Sequence, residues 1–129
     1  MVSCTEIKLL TKQAEERERQ KVIAYVNKIK EETREYCSAV VSKQLQDAAN
    51  IPSHKMIIYT RTPDGRGMAN VCEKDGDNKD TYSASGKNIH IETLVEFIRE
   101  HGFEVTNELG SYKYSARTHY PAQVITIKW

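Results

Sequence analysis

For its first fifty residues the chain contains neither proline nor glycine; Pro52 and Gly65 are the first of each. Over that stretch Val22, Val26, Ile29, Thr33, Tyr36, Cys37, Val40, Val41, Leu45 and Ala48 recur at three- and four-residue steps, the spacing that gives a helix one apolar stripe. The ends carry matching signals. Ser3-Cys4-Thr5-Glu6 is a capping box flanked by Val2 and Ile7 as a hydrophobic staple, so orphan backbone donors are met at the start. Asn50 suits a residue just past a helix end, Ile51 can fold back on Leu45, and Pro52 blocks continuation. Between Lys12 and Lys21 the only apolar residue is Ala14, and that run predicts a solvated face with charges paired along the helix.

Length turns this pattern into a constraint. A helix from about residue 4 to 49 would be roughly 65–70 Å long at 1.5 Å per residue. A domain of this size has a radius of gyration of only about 14 Å. Either the helix breaks near residues 15–21 into an αα hairpin, or it projects and pairs with another copy. The absence of any Gly, Pro or Asn-rich turn in that window favours projection and self-association through the N-terminal helix.

From Pro52 onward the period changes. Met56-Ile57-Ile58-Tyr59 reads as a buried strand within 54–61, and Thr62-Pro63-Asp64-Gly65 as a turn. Residues 68–73 return as a second strand, giving a hairpin, and Thr81 to Ser85 forms a short third strand after the Asp75–Asn78 turn. Ile91, Leu94, Val95 and Ile98 mark a helix closed by Gly102, with Phe103 folding back on it. Three further strands are expected around Phe103 and Val105, Tyr112 and Tyr114, and Ile125 to Trp129, with Gly110 and Pro121 in the connections. The predicted fold is one α+β domain over 1–129, with a helical half over 1–51 and a strand–helix–strand half over 52–129. It places a long N-terminal helix, or an αα hairpin, before a mainly antiparallel sheet of about five to six strands interrupted by one helix.

Composition narrows the setting. A hydrophobic fraction of 39% and a charged fraction of 29% suit a soluble globule. No apolar run approaches the roughly 18 residues of a membrane span, and no signal-peptide pattern follows Met1. A cytoplasmic protein without a membrane role is therefore expected. Cys4, Cys37 and Cys72 are odd in number and widely spaced, which suits reduced thiols rather than a disulfide framework or zinc site. The net charge of +1 lacks the basic excess typical of nucleic-acid binders.

Candidate chemistry is sparse. Pro63-Asp64 followed by Asp77-Asn78-Lys79 is similar to the signature of the PD-(D/E)xK nucleases. That resemblance implies Mg²⁺ held by Asp64 and Asp77, with Lys79 stabilising charge on phosphate. In the family the second carboxylate and the lysine lie on a strand, whereas here they stand in a turn. Ser85-Gly86-Lys87 lacks the rest of a phosphate-binding loop. His54, His90, His101 and His119 contain no pair at metal-binding helical spacing. No catalytic residue, metal or cofactor is assigned.

Two surfaces remain. Arg61 and Arg66 flank the first turn, where arginines suit carboxylate, phosphate or partner contacts. Tyr112, Tyr114 and Arg117 join aromatic and basic character near the last connection. These five residues are the predicted ligand- or partner-binding set, although the alternation of Tyr112 and Tyr114 with Lys113 and Ser115 also suits two core-facing rings. The expected function is that of a non-enzymatic interaction or inhibitor-type protein. It would bind a protein partner or sequester a small anionic ligand, in the manner of phage or mobile-element accessory proteins. Nucleic-acid binding is the first alternative, and a metal-dependent nuclease using Asp64, Asp77 and Lys79 the second.

Overall fold

The computed structural model describes residues 1–72, 86–115 and 118–129, and no side chain from 113 to 118. One helical rod opens the chain: α1 (Cys4–Tyr36), a π-helical turn (Cys37–Val41) and α2 (Ser42–Asn50). Ser3 caps it as expected, its hydroxyl accepting from the Glu6 N–H at 3.2 Å. The rod passes through residues 15–21 unbroken, so the hairpin alternative is replaced by projection. It also runs through Asn50, with Ile51 rather than Asn50 at its end.

The burial of the rod is one-sided along its length. Every residue from 1 to 25 is exposed, and contact with the body begins at half-buried Val26 and buried Ile29. Val22, expected in the buried stripe, stands outside it at 37% exposure. Further along, Ile29, Thr33, Cys37 and Val41 face inward at steps of four. Each four-residue step overshoots a 3.6-residue turn by about 40°, so three steps would carry Val41 about 120° away. The π turn, with Ser42 N–H bonded to the Cys37 carbonyl, winds more slowly and holds Cys37 and Val41 inward.

The strands are β1 (Lys55–Arg61), β2 (Met68–Asn70), β3 (Asn88–His90), β4 (Glu104–Ser115) and β5 (Thr118–Lys128), with α3 (Ile91–Glu100) between β3 and β4. All pairings are antiparallel, in a sheet ordered β1-β5-β4 and a two-stranded β2-β3 ribbon. Of the expected β1–β2 hairpin the described residues show the antiparallel Thr60↔Val71 bridge, with the Cys72 N–H bonded to the Tyr59 carbonyl at 2.8 Å. β1 also pairs along its whole length with β5, from Lys55↔Lys128 to Arg61↔Ala122. Apolar cross-strand pairs support that ladder, with Met56 opposite Ile127 and Ile58 opposite Ile125.

The three expected C-terminal strands are two. Gly110 and Pro121 lie inside β4 and β5 instead of in connections. A Cβ at Gly110 would sit 2.7 Å from Val124 Cγ2, so the glycine serves close packing. Pro121 lies one residue past the end of the β1 ladder, where β5 pairs with β4 alone and a missing N–H is tolerated. The third strand expected at 81–85 falls outside the described residues.

One core joins the layers: Cys37 and Val41 from the rod, Leu94, Val95 and Ile98 from α3, and Ile58, Val105, Ile125 and Ile127 from the sheet. A polar tie fixes the rod against α3. Fully buried Thr33 donates its hydroxyl to the Ile29 carbonyl at 2.7 Å, and the same oxygen accepts the His90 N–H at 2.9 Å. His90 then caps α3, its Nδ1 lying 3.3 Å from the accepted Thr93 N–H and 2.8 Å from Thr93 Oγ1.

Burial, with the Lys30 charge, lowers the His90 pKa below its ordinary 6.5, while Glu92 and Glu96 oppose the shift. A base with a depressed folded pKa contributes its full stability above the unfolded value and loses it as pH falls through the folded one. Stability should therefore decline below about pH 6.5. His90→Asn, which keeps a capping acceptor, should flatten the pH dependence of the urea midpoint between about pH 7 and 5; an unchanged slope would remove His90 as its source. A second test separates two glycines. A Cβ at Gly86 would meet the Val71 carbonyl oxygen at 1.8 Å, whereas one at Gly65 meets nothing within 4 Å. Gly86→Ala should cost about 2–3 kcal/mol in denaturant unfolding, and Gly65→Ala should be neutral or slightly stabilising.

Candidate functional site

The predicted contact residues converge in part. Arg61 closes β1 opposite Ala122, and Ala122 in turn lies opposite Gly110 on β4. Strand alternation puts Tyr59, Arg61, Ala122, Gly110 and Tyr112 on the sheet face opposite Ile58, Val105, Ile125 and Ile127. There the Tyr59 and Tyr112 rings meet edge to face, centroids 5.3 Å apart, a favourable aromatic geometry. The small residues Gly110 and Ala122 leave room for these rings, and Ala122 is fully covered. Tyr112 itself is 3% exposed, so its contribution is packing, and half-exposed Tyr120 opposite it is the accessible ring. Arg66 stands at the same end, on the β1–β2 turn. Tyr114 lies on β4, its side chain outside the described residues, as is Arg117.

The nuclease constellation is only partly on view. Asp64 Oδ1 accepts the N–H groups of Arg66 at 2.8 Å and Met68 at 3.0 Å. The Met68 bond leads in lowering its pKa, with the Arg66 bond and charge adding to it. This is the chemistry of a turn-forming aspartate. Asp77 and Lys79 lie outside the described residues. Lys87, considered for an anion loop, pairs with Glu32 at 3.5 Å. Among the described residues no group of three His, Cys, Asp or Glu side chains is placed to hold a metal, and no helix is long and apolar enough to cross a membrane.

A further surface carries no signal in the sequence analysis above. Beside the π turn, between the rod and α3, runs an apolar groove of about 640 Å³. Cys37 and Val41 form its floor, Leu45 one side, and Phe97, Phe103 and Trp129 the other. Phe103 meets Trp129 edge to face at 6.2 Å. His101 lies against Phe97 with ring centroids 4.6 Å apart and planes tilted by 37°, and its Nδ1–H donates to the Phe97 carbonyl at 2.8 Å, satisfying an orphan group of the last helical turn. Volume and lining match those of typical binding clefts, and π turns recur at functional sites. Sequence signals existed only singly: Trp129 at the end of an expected strand, and Cys37 on a helix face.

Burial pushes the Cys37 pKa from 9.0 up to about 11, so little of the groove's thiol is thiolate near neutral pH. In iodoacetamide labelling near neutral pH, exposed Cys4 should react first. Cys37 should lag an ordinary thiol by about 100-fold, as its thiolate fraction falls two decades; equal rates would contradict the burial assigned to it. Against family models, curated proteins and solved structures the chain finds no match, so its function rests on the surfaces described above.

Proposed function

We propose that this chain is a non-enzymatic interaction protein. It self-associates through its N-terminal helix and engages a protein partner or a small anionic ligand at the arginine-bearing end of its sheet. The observation that carries the reading is the free half of the rod. Residues 1–25 are exposed throughout, yet Ile7, Leu9, Leu10, Ile23 and Tyr25 stand 44–57% exposed on it. A helix outside a packed context is marginal in water, and an apolar surface of this kind marks an interaction site. Self-association supplies the missing packing, while Arg61 and Arg66 supply forked donors for carboxylate or phosphate groups. A cytoplasmic setting belongs to the same proposal, supported by three cysteines without disulfides. So does an accessory role of the phage or mobile-element kind, for which small size and the lack of catalytic machinery among the described residues are the support.

Nucleic-acid binding remains the second reading, favoured by the meeting of Arg61 with tyrosines on one face. It is weakened by the near-neutral charge and by the burial of Tyr112, which leaves little ring surface for base stacking.

Native mass spectrometry of the intact chain should give a species of twice 14.8 kDa at low micromolar concentration. A monomer at every concentration would overturn self-association. Should single-stranded DNA or RNA bind, a steep fall of affinity with salt would move the assignment to the second reading.

A further inference from the structure

We propose that the groove beside the π turn is the seat for the N-terminal end of α1 from a second copy, so that two chains form an antiparallel, twofold dimer centred near Ile23. The proposal rests on self-association through α1 and specifies its geometry.

The first ground is a repeat on one flank of the rod. Leu9, Glu16, Ile23, Lys30 and Cys37 follow one another at every seventh residue. Seven residues fall only about 20° short of two helical turns, so these positions trace one slowly winding line. That line ends in the groove, whose floor begins with Cys37. At its other end stands Leu9, 57% exposed, with Leu10 beside it at 56%. The midpoint is Ile23, 51% exposed. The line thus joins an uncovered apolar tip to an uncovered apolar groove.

The second ground is charge. With the twofold at Ile23, Leu9 of one copy comes level with Cys37 of the other, and Glu16 with Lys30. A twofold axis makes each contact twice. A parallel pair in register would instead set Glu16 against Glu16 and Lys30 against Lys30, like charges that disfavour the arrangement, and would leave both grooves empty. Glu16 also meets Arg19 on its own helix at 3.5 Å. Exposed pairs contribute little affinity, so the cross-pair selects orientation and register while apolar burial supplies the stability.

The third ground is reach. From Ile23 to Leu9 and from Ile23 to Cys37 the rod advances equally, about 21 Å each way at 1.5 Å per residue. A straight rod with its twofold at Ile23 therefore places each tip at the other copy's groove without bending.

The wild-type chain reports on this directly. Its single tryptophan, Trp129, lines the groove and is 41% exposed. On dilution through the dimer–monomer transition, its fluorescence should shift to the red in step with loss of dimer mass. A dimer that dissociates with Trp129 emission unchanged would overturn the groove as the seat and leave self-association standing. A monomer throughout would overturn both. Leu9→Glu should weaken the dimer at least about tenfold; an unchanged dimer would count against the proposal. Orientation is read by a disulfide. In a Cys4→Ser, Leu9→Cys chain, the introduced cysteine of one copy comes level with Cys37 of the other and on the facing line. Mild oxidation should join those two, identified by peptide mapping, whereas a link between the two introduced cysteines would show a parallel pair and overturn the geometry.

Discussion

The fold depends on one buried hydroxyl. Thr33 Oγ1 satisfies two backbone groups at once, the Ile29 carbonyl of its own helix and the His90 N–H at the β3–α3 junction. A single such bond is worth only about 1 kcal/mol net, but leaving either buried partner unmet would cost more. Because His90 is also the N-cap of α3, the tie fixes where the second helix starts relative to the first. It also has a steric neighbour, since Gly67 approaches the His90 ring so closely that a Cβ there would lie 3.2 Å from Nε2. Gly67 adopts φ +80°, which favours glycine in its own right. Turn, ribbon, helix cap and rod are thereby coupled through one histidine.

That coupling explains why the rod can project. Only its second half is held by the body, through Ile29, Thr33, Cys37 and Val41, and the π turn keeps the last two of these, Cys37 and Val41, together on the inner side. The same turn places Cys37 and Val41 on the floor of the groove. One local departure from α geometry thus serves the intramolecular core and shapes the surface left for another molecule. Burial makes the thiol chemically quiet, which suits a packing surface better than a reactive centre.

Much of the fold was legible because punctuation residues are unambiguous in physical terms. Ser3, Pro52 and Gly102 marked helix ends, and Gly102 at φ +92° shows the left-handed stop its position implied. Where one residue type serves two purposes, the reading failed. Gly110 and Pro121 are turn formers by frequency, but their places inside β4 and β5 follow from Val124 and from the end of the β1 ladder, which are tertiary facts. The π turn spans Cys37-Ser38-Ala39-Val40-Val41, a run with no residue that announces it. The groove joins residues near 37–49, 97–103 and 129, distances no local pattern can close. Arg61 and Tyr112 were proposed separately, and strand register brings them to one face, yet the same register buries the tyrosine.

The two surfaces differ in chemistry, and on the proposed reading that difference gives them different occupants. The groove is apolar and the free half of the rod carries exposed apolar residues at Ile7, Leu9, Leu10 and Ile23, so these two match one another better than either matches an ionic ligand. The end of the sheet face opposite the core carries Arg61 and the nearby Arg66, whose forked guanidinium groups favour an anionic or hydrogen-bonding counterpart. A second copy filling the first surface leaves the second open on both chains, related by the twofold. A dimer built in this way presents two equivalent arginine-bearing faces, so that a partner with paired sites would gain from simultaneous engagement without any new contact. On the proposed reading, self-association would do more than cover exposed apolar residues, because it would set the spacing at which the polar faces are offered.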